Sequence, residues 1–302
     1  MALFEKALEA SVMSTKLLIR ADLSKTLLLQ AYQIAKDFEA RYSAYRDNSF
    51  LNQINTQAGK SPLDTTPKDM ALFSVCHQAS LATEGVFDIS IGALSHGAYH
   101  FGFANQSLAS STQIKTQKKL VNYKNIILKE NTIFLAKKGM RLDLGAIGKG
   151  YVAKEIALFL KAKGASKILV DVGGEIFTLG KSYTIAIKNP FTEGNLAYIK
   201  TSTAPLSFST SGNYVRFIDD KNHHILDKSL GKSSAYYSSL SLMQNSWDID
   251  LLDAYATALF NQNPQKLKSM GKKLKLSMLI IHQDGEISLQ GIDKLQIKEL
   301  VL

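Results

Sequence analysis

The chain has one cysteine (Cys76), one tryptophan (Trp247) and 5 prolines in 302 residues. A single thiol excludes an internal disulfide and a cysteine-built metal site, so nothing in the sequence asks for an oxidising compartment. Both Cys76 and Trp247 read as packing residues. No run approaches the ~18 apolar residues of a membrane helix, and the richest early one is broken by Arg20, Asp22 and Lys25. No transmembrane segment is expected. The first residues carry Glu5, Lys6 and Glu9 where a secretory peptide needs an apolar centre, and no cysteine follows to accept lipid. The expected compartment is the cytoplasm, or the periplasm if an export signal has been removed.

What is present is an ordinary globular composition: 45% hydrophobic, 21% charged and 19 glycines, which excludes disordered, collagen-like and coiled-coil classes. The formal charge of +10, from 36 Lys plus Arg against 26 Asp plus Glu, would draw an anionic ligand. The lysines are scattered and not interleaved with aromatics, so no nucleic-acid partner is expected. The length suits about two ordinary domains or one large α/β domain. With no internal repeat and no break in composition, residues 1–302 read as a single domain with lobes.

Apolar residues at helical spacing from Leu27 to Phe38, after a Ser24 cap, predict a helix over 25–41. Residues 42–60 lack such a stripe, and Thr66-Pro67 opens a second helix to about Thr83. Gly92, Gly97 and Gly102 punctuate a stretch that reads as loop anchored by Tyr99, Phe101 and Phe103, and the lysine-rich 107–119 reads as a mobile connection. Residues 125–128 and 132–135 predict a hairpin turning at Glu130-Asn131. A strand over 141–144, a glycine turn, a helix to Gly164 and a strand over 167–172 form a βαβ pattern. Glycines in that turn would let backbone approach a phosphate at the helix start, yet Gly145-Ala-Ile-Gly-Lys-Gly150 is neither a dinucleotide fingerprint nor a P-loop. More sheet follows to about Phe217.

On the helix beginning near Asp248, Asp253 and Thr257 stand four apart, so their oxygens face one way and suit a hard cation such as magnesium completed by substrate phosphate. Taken alone, the pair reads more simply as a carboxylate serving the helix dipole and a hydroxyl bonded back to the preceding turn. His223-His224-Ile225-Leu226-Asp227 offers a general base near neutral pH, with alternation placing His224 and Leu226 on one face. Thr210-Ser211-Gly212 offers hydroxyls and a flexible backbone at a strand end, suited to phosphate or a flavin edge, and by itself is a turn. No Ser-His-Asp signature supports covalent hydrolysis.

In order along the chain stand Met13-Ser14-Thr15, Ser43-Ala44-Tyr45-Arg46 with Ser49 and Asn55, and Thr83-Glu84-Gly85-Val86-Phe87-Asp88. They are followed by Leu142-Asp143-Leu144-Gly145-Ala146-Ile147-Gly148-Lys149-Gly150-Tyr151 and Val172-Gly173-Gly174-Glu175. Thr210-Ser211-Gly212-Asn213-Tyr214, His224-Ile225-Leu226-Asp227 and Asp253-Ala254-Tyr255-Ala256-Thr257-Ala258 complete the series. Over residues 11–262 this series resembles the ApbE family of FAD:protein FMN transferases. The resemblance implies a mixed α+β chain, with a T-fold-like β/α core and a smaller α/β lobe. It also implies magnesium-dependent transfer of FMN from FAD to a threonine hydroxyl of an acceptor flavoprotein, with release of AMP.

Carried over by motif, the cation ligands would be Asp253, Thr257 and the carbonyl of Ala146. FAD would contact Met13, Tyr45, Val86, Phe87, Asp88, Lys149 and Ile225, with Ser211 added from its phosphate-holding chemistry. His224 is the candidate base, and Asp227 would orient it or assist the cation. Ser14 stands where the family usually has glycine, and Lys228 where proline is usual. An FAD pyrophosphatase using water at the same site, and a flavin carrier without turnover, are the alternative readings.

Overall fold

The computed structural model describes residues 5–212, 217–219, 222–233 and 236–302. Asn213 and Tyr214 of the motif that begins at Thr210, like the chain start at 1–4, lie outside the described residues.

Eight strands form one sheet whose spatial order follows the chain. They are β1 (Lys6–Val12), β2 (Thr15–Ala21), β3 (Ile168–Val172), β4 (Glu175–Leu179), β5 (Leu206–Gly212), β6 (Tyr237–Gln244), β7 (Ser277–His282) and β8 (Ile287–Gln290). Every neighbouring pair is antiparallel. Alternation within the central strands supplies two apolar faces. Leu240, Leu242, Met278 and Ile280 face the large core, whereas Leu206, Phe208, Met243, Leu279 and Ile281 face a second core. That second core is closed by Ile185, Ile187, Ala197 and Ile199 from a three-stranded sheet made of 184–188, 195–201 and 297–301. Helices and antiparallel sheet therefore form the expected α+β class.

The helices are α1 (Lys25–Tyr42), α2 (Phe50–Thr56), α3 (Pro67–Ala82), α4 (Gly92–Ser95), α5 (Ser111–Lys118), α6 (Gly148–Ala162), α7 (Ile249–Phe260) and α8 (Pro264–Lys273). The predicted α1, α3, α6 and α7 are present, as is the hairpin at 126–135. Three expectations are corrected. Residues 42–60 contain α2, a two-turn helix capped by the Ser49 hydroxyl, too short to carry a visible stripe. The lysine-rich connection at 107–119 holds α5, started by a capping box between Ser110 and Gln113. Residues 141–144 are not a strand of the sheet: Arg141 makes an isolated bridge to Ile91, the Leu142 N–H goes to Asn55 Oδ1, and the Asp143 N–H to the Ile89 carbonyl. With their donors spent on a side chain of α2 and a loop carbonyl, these residues do not join a ladder, and the βαβ reading loses its first strand.

Among the described residues, no helix is long and apolar enough to cross a membrane. Trp247 packs on Phe177 at a ring separation of 4.4 Å, and Cys76 is buried, its thiol pushed up by that burial.

An ion pair between a buried carboxylate and a part-exposed arginine ties α1 to the start of α3. The Asp69 carboxylate accepts Arg41 Nε at 2.6 Å, the Tyr42 hydroxyl, and the N–H and hydroxyl of Thr66, both at 2.7 Å. Burial alone would raise the Asp69 carboxyl, but the Arg41 guanidinium and the Tyr42 and Thr66 donors outweigh it and hold it at about 2. A depressed carboxyl stabilises the fold above its unfolded value of about 4, and this contribution fades as pH falls through about 2. Replacing Asp69 with Asn is expected to cost about 1–3 kcal/mol at neutral pH, because the charge-assisted bonds from Tyr42 and Thr66 weaken while the part-exposed Arg41 turns to water. Urea denaturation at pH 7 and pH 3 checks this: the gap between wild type and variant should narrow at the lower pH.

Candidate active site

The site is built where α6 meets α7. Gly150 lies in the first turn of α6, and its N–H donates to Asp253 Oδ2 at 2.8 Å. A Cβ added at Gly150 would stand 2.5 Å from the Ile249 carbonyl oxygen and 2.7 Å from the Asp253 Cβ. The glycine that looked like a phosphate-approach residue is therefore needed for helix-to-helix contact. One turn on, Lys154 reaches Asp248 at 3.2 Å and Asp250 at 3.0 Å, fastening the same two helices.

Asp253 is 2% exposed, and burial raises its carboxyl. Thr257 Oγ1 lies 3.4 Å from Ser211 Oγ, which joins the hydroxyl suggested by β5 to the pair suggested by α7. Lys149 Nζ is 2.6 Å from Oε1 of the fully buried Glu175. Burial alone would lower the Lys149 ammonium, yet Glu175, Asp253 and Asp171 together raise it. Burial, and then the nearby Asp253 charge, raise Glu175. Burial thus raises the carboxyls, while three neighbouring carboxylates outweigh burial at the single ammonium. Glu175 Oε2 has no hydrogen-bond partner among the described residues.

Thr257 also lines a cleft of about 350 Å³, whose wall does not include Lys149, Glu175, Asp253 or Ser211. Val86, Phe87, Asp88, Ala146, Asp227 and Thr257 all line it, so residues from four separate motifs share one wall. Met13, in the β1–β2 turn, packs on the start of α6, where its Cε lies 3.3 Å from the place a Gly148 Cβ would take. Met13 and Ser14 both have positive φ, at 53° and 58°. That left-handed pair is the two-residue hairpin geometry that favours glycine, so Ser14 bears a backbone cost. Ile225 is buried in the main core, and Leu226 is buried beside it in the small cluster under α4 and α5. Strand pairing is broken at His224, since Asn222–His223 pairs with Phe217–Asp219 and Leu226–Asp227 with Lys232–Ser233, so the alternation expected from His223 to Asp227 does not run through. His224 lies in a bend before Leu226–Asp227, half-buried, and Asp227 Oδ1 accepts the Ser229 N–H and hydroxyl, both at 2.6 Å.

Tyr45 is not on the cleft wall. It is 45% exposed, with its ring 5.4 Å from His96 and 5.1 Å from Phe103. A route from it to the cleft runs through residues to which the sequence assigned no role. His96 is buried with Nε2 2.9 Å from Asp143 Oδ2, and Asp143 lines the cleft. Burial works against the Asp143 charge, but His96, the Gly145 N–H and the Ser95 hydroxyl hold its carboxyl well below the usual range. The signal for Asp143 was its place in the Ala146 motif; His96, one of two histidines in a glycine-punctuated stretch, carried none.

Among the described residues, no three His, Cys, Asp or Glu side chains converge as a metal site. One carboxylate, one hydroxyl and a carbonyl nonetheless suit magnesium, which keeps several waters and takes further oxygens from phosphate. The surplus of carboxylate over ammonium and the orphaned Glu175 oxygen fit a dication bound near Asp253.

The sheet with its helical layer and this cleft are the architecture of a known group of solved proteins. The chain superimposes on the ApbE protein of Thermotoga maritima with a TM-score of 0.86 over 98% of this chain and 100% of that one, at 24% identity. The ApbE family model matches residues 10–280, and the chain belongs to the ApbE family. It is 28% identical to an FAD:protein FMN transferase of Klebsiella pneumoniae (strain 342), over 91% of this chain and 88% of that protein. It is 24% identical to the FAD:protein FMN transferase of Escherichia coli (strain K12), over 81% and 73% respectively.

Proposed function

We propose that the protein transfers FMN from FAD to a threonine hydroxyl of an acceptor flavoprotein, with magnesium, releasing AMP. The observation that carries this reading is the meeting of Ala146, Thr257 and the Val86–Asp88 segment on one cleft, with Asp253 buried behind them. Family membership and the names of its relatives support it.

The acceptor oxygen attacks the FMN phosphorus, the bond from that phosphorus to the AMP oxygen breaks, and the threonine proton passes to His224. AMP leaves with the electron pair of the broken bond. Phosphoryl transfer asks a protein chiefly for positioning and charge neutralisation. Magnesium, when bound, supplies charge neutralisation on the diphosphate oxygens. Asp253, Thr257 and the Ala146 carbonyl would hold it. Lys149, steadied by Glu175, adds a fixed positive charge. Met13, Tyr45, Val86, Phe87, Asp88, Ser211 and Ile225 would contact FAD, and Asp227 would orient the His224 loop.

The test is incubation of the protein with FAD and magnesium, with and without an acceptor carrying a target threonine. Chromatography follows AMP and FMN, and mass spectrometry follows the acceptor. AMP together with an FMN-sized mass gain is expected; an acceptor threonine replaced by alanine should gain nothing. Free FMN plus AMP without any mass gain would turn the reading to a pyrophosphatase, and FAD bound without AMP to a carrier.

A further inference from the structure

Lys228 lines the cleft, and none of the roles above uses it. Its Nζ lies 2.9 Å from Asp88 Oδ2, with the lysine side chain 26% exposed and the Asp88 side chain 1%. The Asp88 carboxylate is saturated. Oδ1 accepts the Ser90 N–H at 3.0 Å and the Ser90 hydroxyl at 2.6 Å, while Oδ2 accepts the Tyr123 N–H at 2.9 Å besides the lysine. An ammonium carries three N–H donors. One is spent on Asp88, which leaves the others for the cleft.

The loop that bears Lys228 is fixed from behind. Lys118 of α5 donates to the Ser229 carbonyl, and the Tyr99 hydroxyl donates to the Gly231 carbonyl at 2.8 Å. A Cβ at Gly231 would meet Ile114 Cγ2 at 2.5 Å, so α5 presses directly on the loop. The Tyr123 ring, 5.9 Å from Nζ, borders the ammonium on another side. Lys124 and Lys266 line the same cleft. Of the other carboxylates there, Glu84 is paired with Lys273, Asp143 is held by His96, the Ser95 hydroxyl and the Gly145 N–H, and Asp227 turns Oδ1 into its own loop. A cation held by a buried carboxylate on a pinned loop loses little freedom when it meets an anion.

We propose that Lys228 is a diphosphate-binding residue of this chain, held ready by Asp88, that donates to phosphate oxygens of FAD. This rests on FAD being the substrate, as the transfer reading has it. Binding of FAD, ADP and riboflavin to wild type, Lys228→Met and Lys228→Arg, in magnesium buffer at two salt concentrations, tests it, with melting curves reporting folding. Lys228→Met is expected to weaken FAD and ADP roughly tenfold and to leave riboflavin unchanged. It should also flatten the salt dependence, and Lys228→Arg should restore most of the loss. Lys228→Gln, which keeps a donor toward Asp88, is the second variant if the Met protein melts early.

Unchanged affinity for FAD and ADP, or equal weakening of all three ligands, overturns the proposal. A wild-type protein that binds FAD and ADP yet never modifies an acceptor would remove the transfer reading and leave the Lys228 comparison intact. A wild type that binds neither overturns both.

Discussion

Asp253→Asn is expected to leave the chain folded and to slow FMN transfer roughly a thousandfold, since a cation at the reacting phosphate is worth several kcal/mol. Folding should survive because Asn keeps an oxygen for the Gly150 N–H, now 2.8 Å from Asp253 Oδ2, at the same shape. The substitution also removes one of three carboxylates that burial disfavours around Lys149, so stability in the absence of metal should hold or rise slightly. Two measurements separate the metal role from a packing role. Release of AMP reports turnover, and the rise in melting temperature on adding magnesium reports cation binding to the native state. Wild type should show both, and the variant neither. A variant that turns over within a few-fold of wild type would sink the assignment of Asp253.

Gly150→Ala should behave in the opposite manner, damaging the fold and the site together. In an ordinary helix this change stabilises by about 0.5–1 kcal/mol, because alanine has less freedom to lose. Here the new methyl would stand 2.5 Å from the Ile249 carbonyl oxygen and 2.7 Å from the Asp253 Cβ, on a neighbouring helix that cannot yield like the tip of a side chain. Overpacking then outweighs propensity, and a net loss of about 2–3 kcal/mol is expected, measured by urea denaturation. Separating α6 from α7 also draws Asp253 away from the cleft, so activity should fall even at temperatures where the variant is fully folded. Gly148→Ala is the control. Its methyl would meet the Phe38 ring edge at 3.1 Å and the Met13 methyl at 3.3 Å, contacts that small side-chain shifts relieve. A Gly150→Ala protein as stable as wild type would mean that the two helices do not pack this closely.

Where a local signal was complete, the sequence was readable. Ser24 and Thr66-Pro67 announced α1 and α3, because a helix start is decided by which nearby side chain satisfies its free N–H groups. The Asp253–Thr257 spacing placed both oxygens on one face of α7, since helical period alone fixes that. Short elements escaped: α2 and α5 are held by their caps and by what they press against, and seven or eight residues show too little periodicity. The segment 141–144 misled for a related reason. Its apolar alternation is that of a strand, but an Asn55 side chain and the Ile89 carbonyl take its donors, from partners distant in sequence.

The sequence by itself determined the helices with full caps and the chemistry of the motif residues, because period, capping and residue chemistry are local properties; the α+β class came from the family those motifs resemble. Tertiary structure alone decided that Gly150 serves α7 and that Ser211 meets Thr257. It also decided that three carboxylates crowd Lys149, and that Lys228 is aimed by Asp88. Each of these depends on distances between residues tens of positions apart, and a charge or a methyl group acts on whatever lies within a few ångströms, whatever its place in the chain.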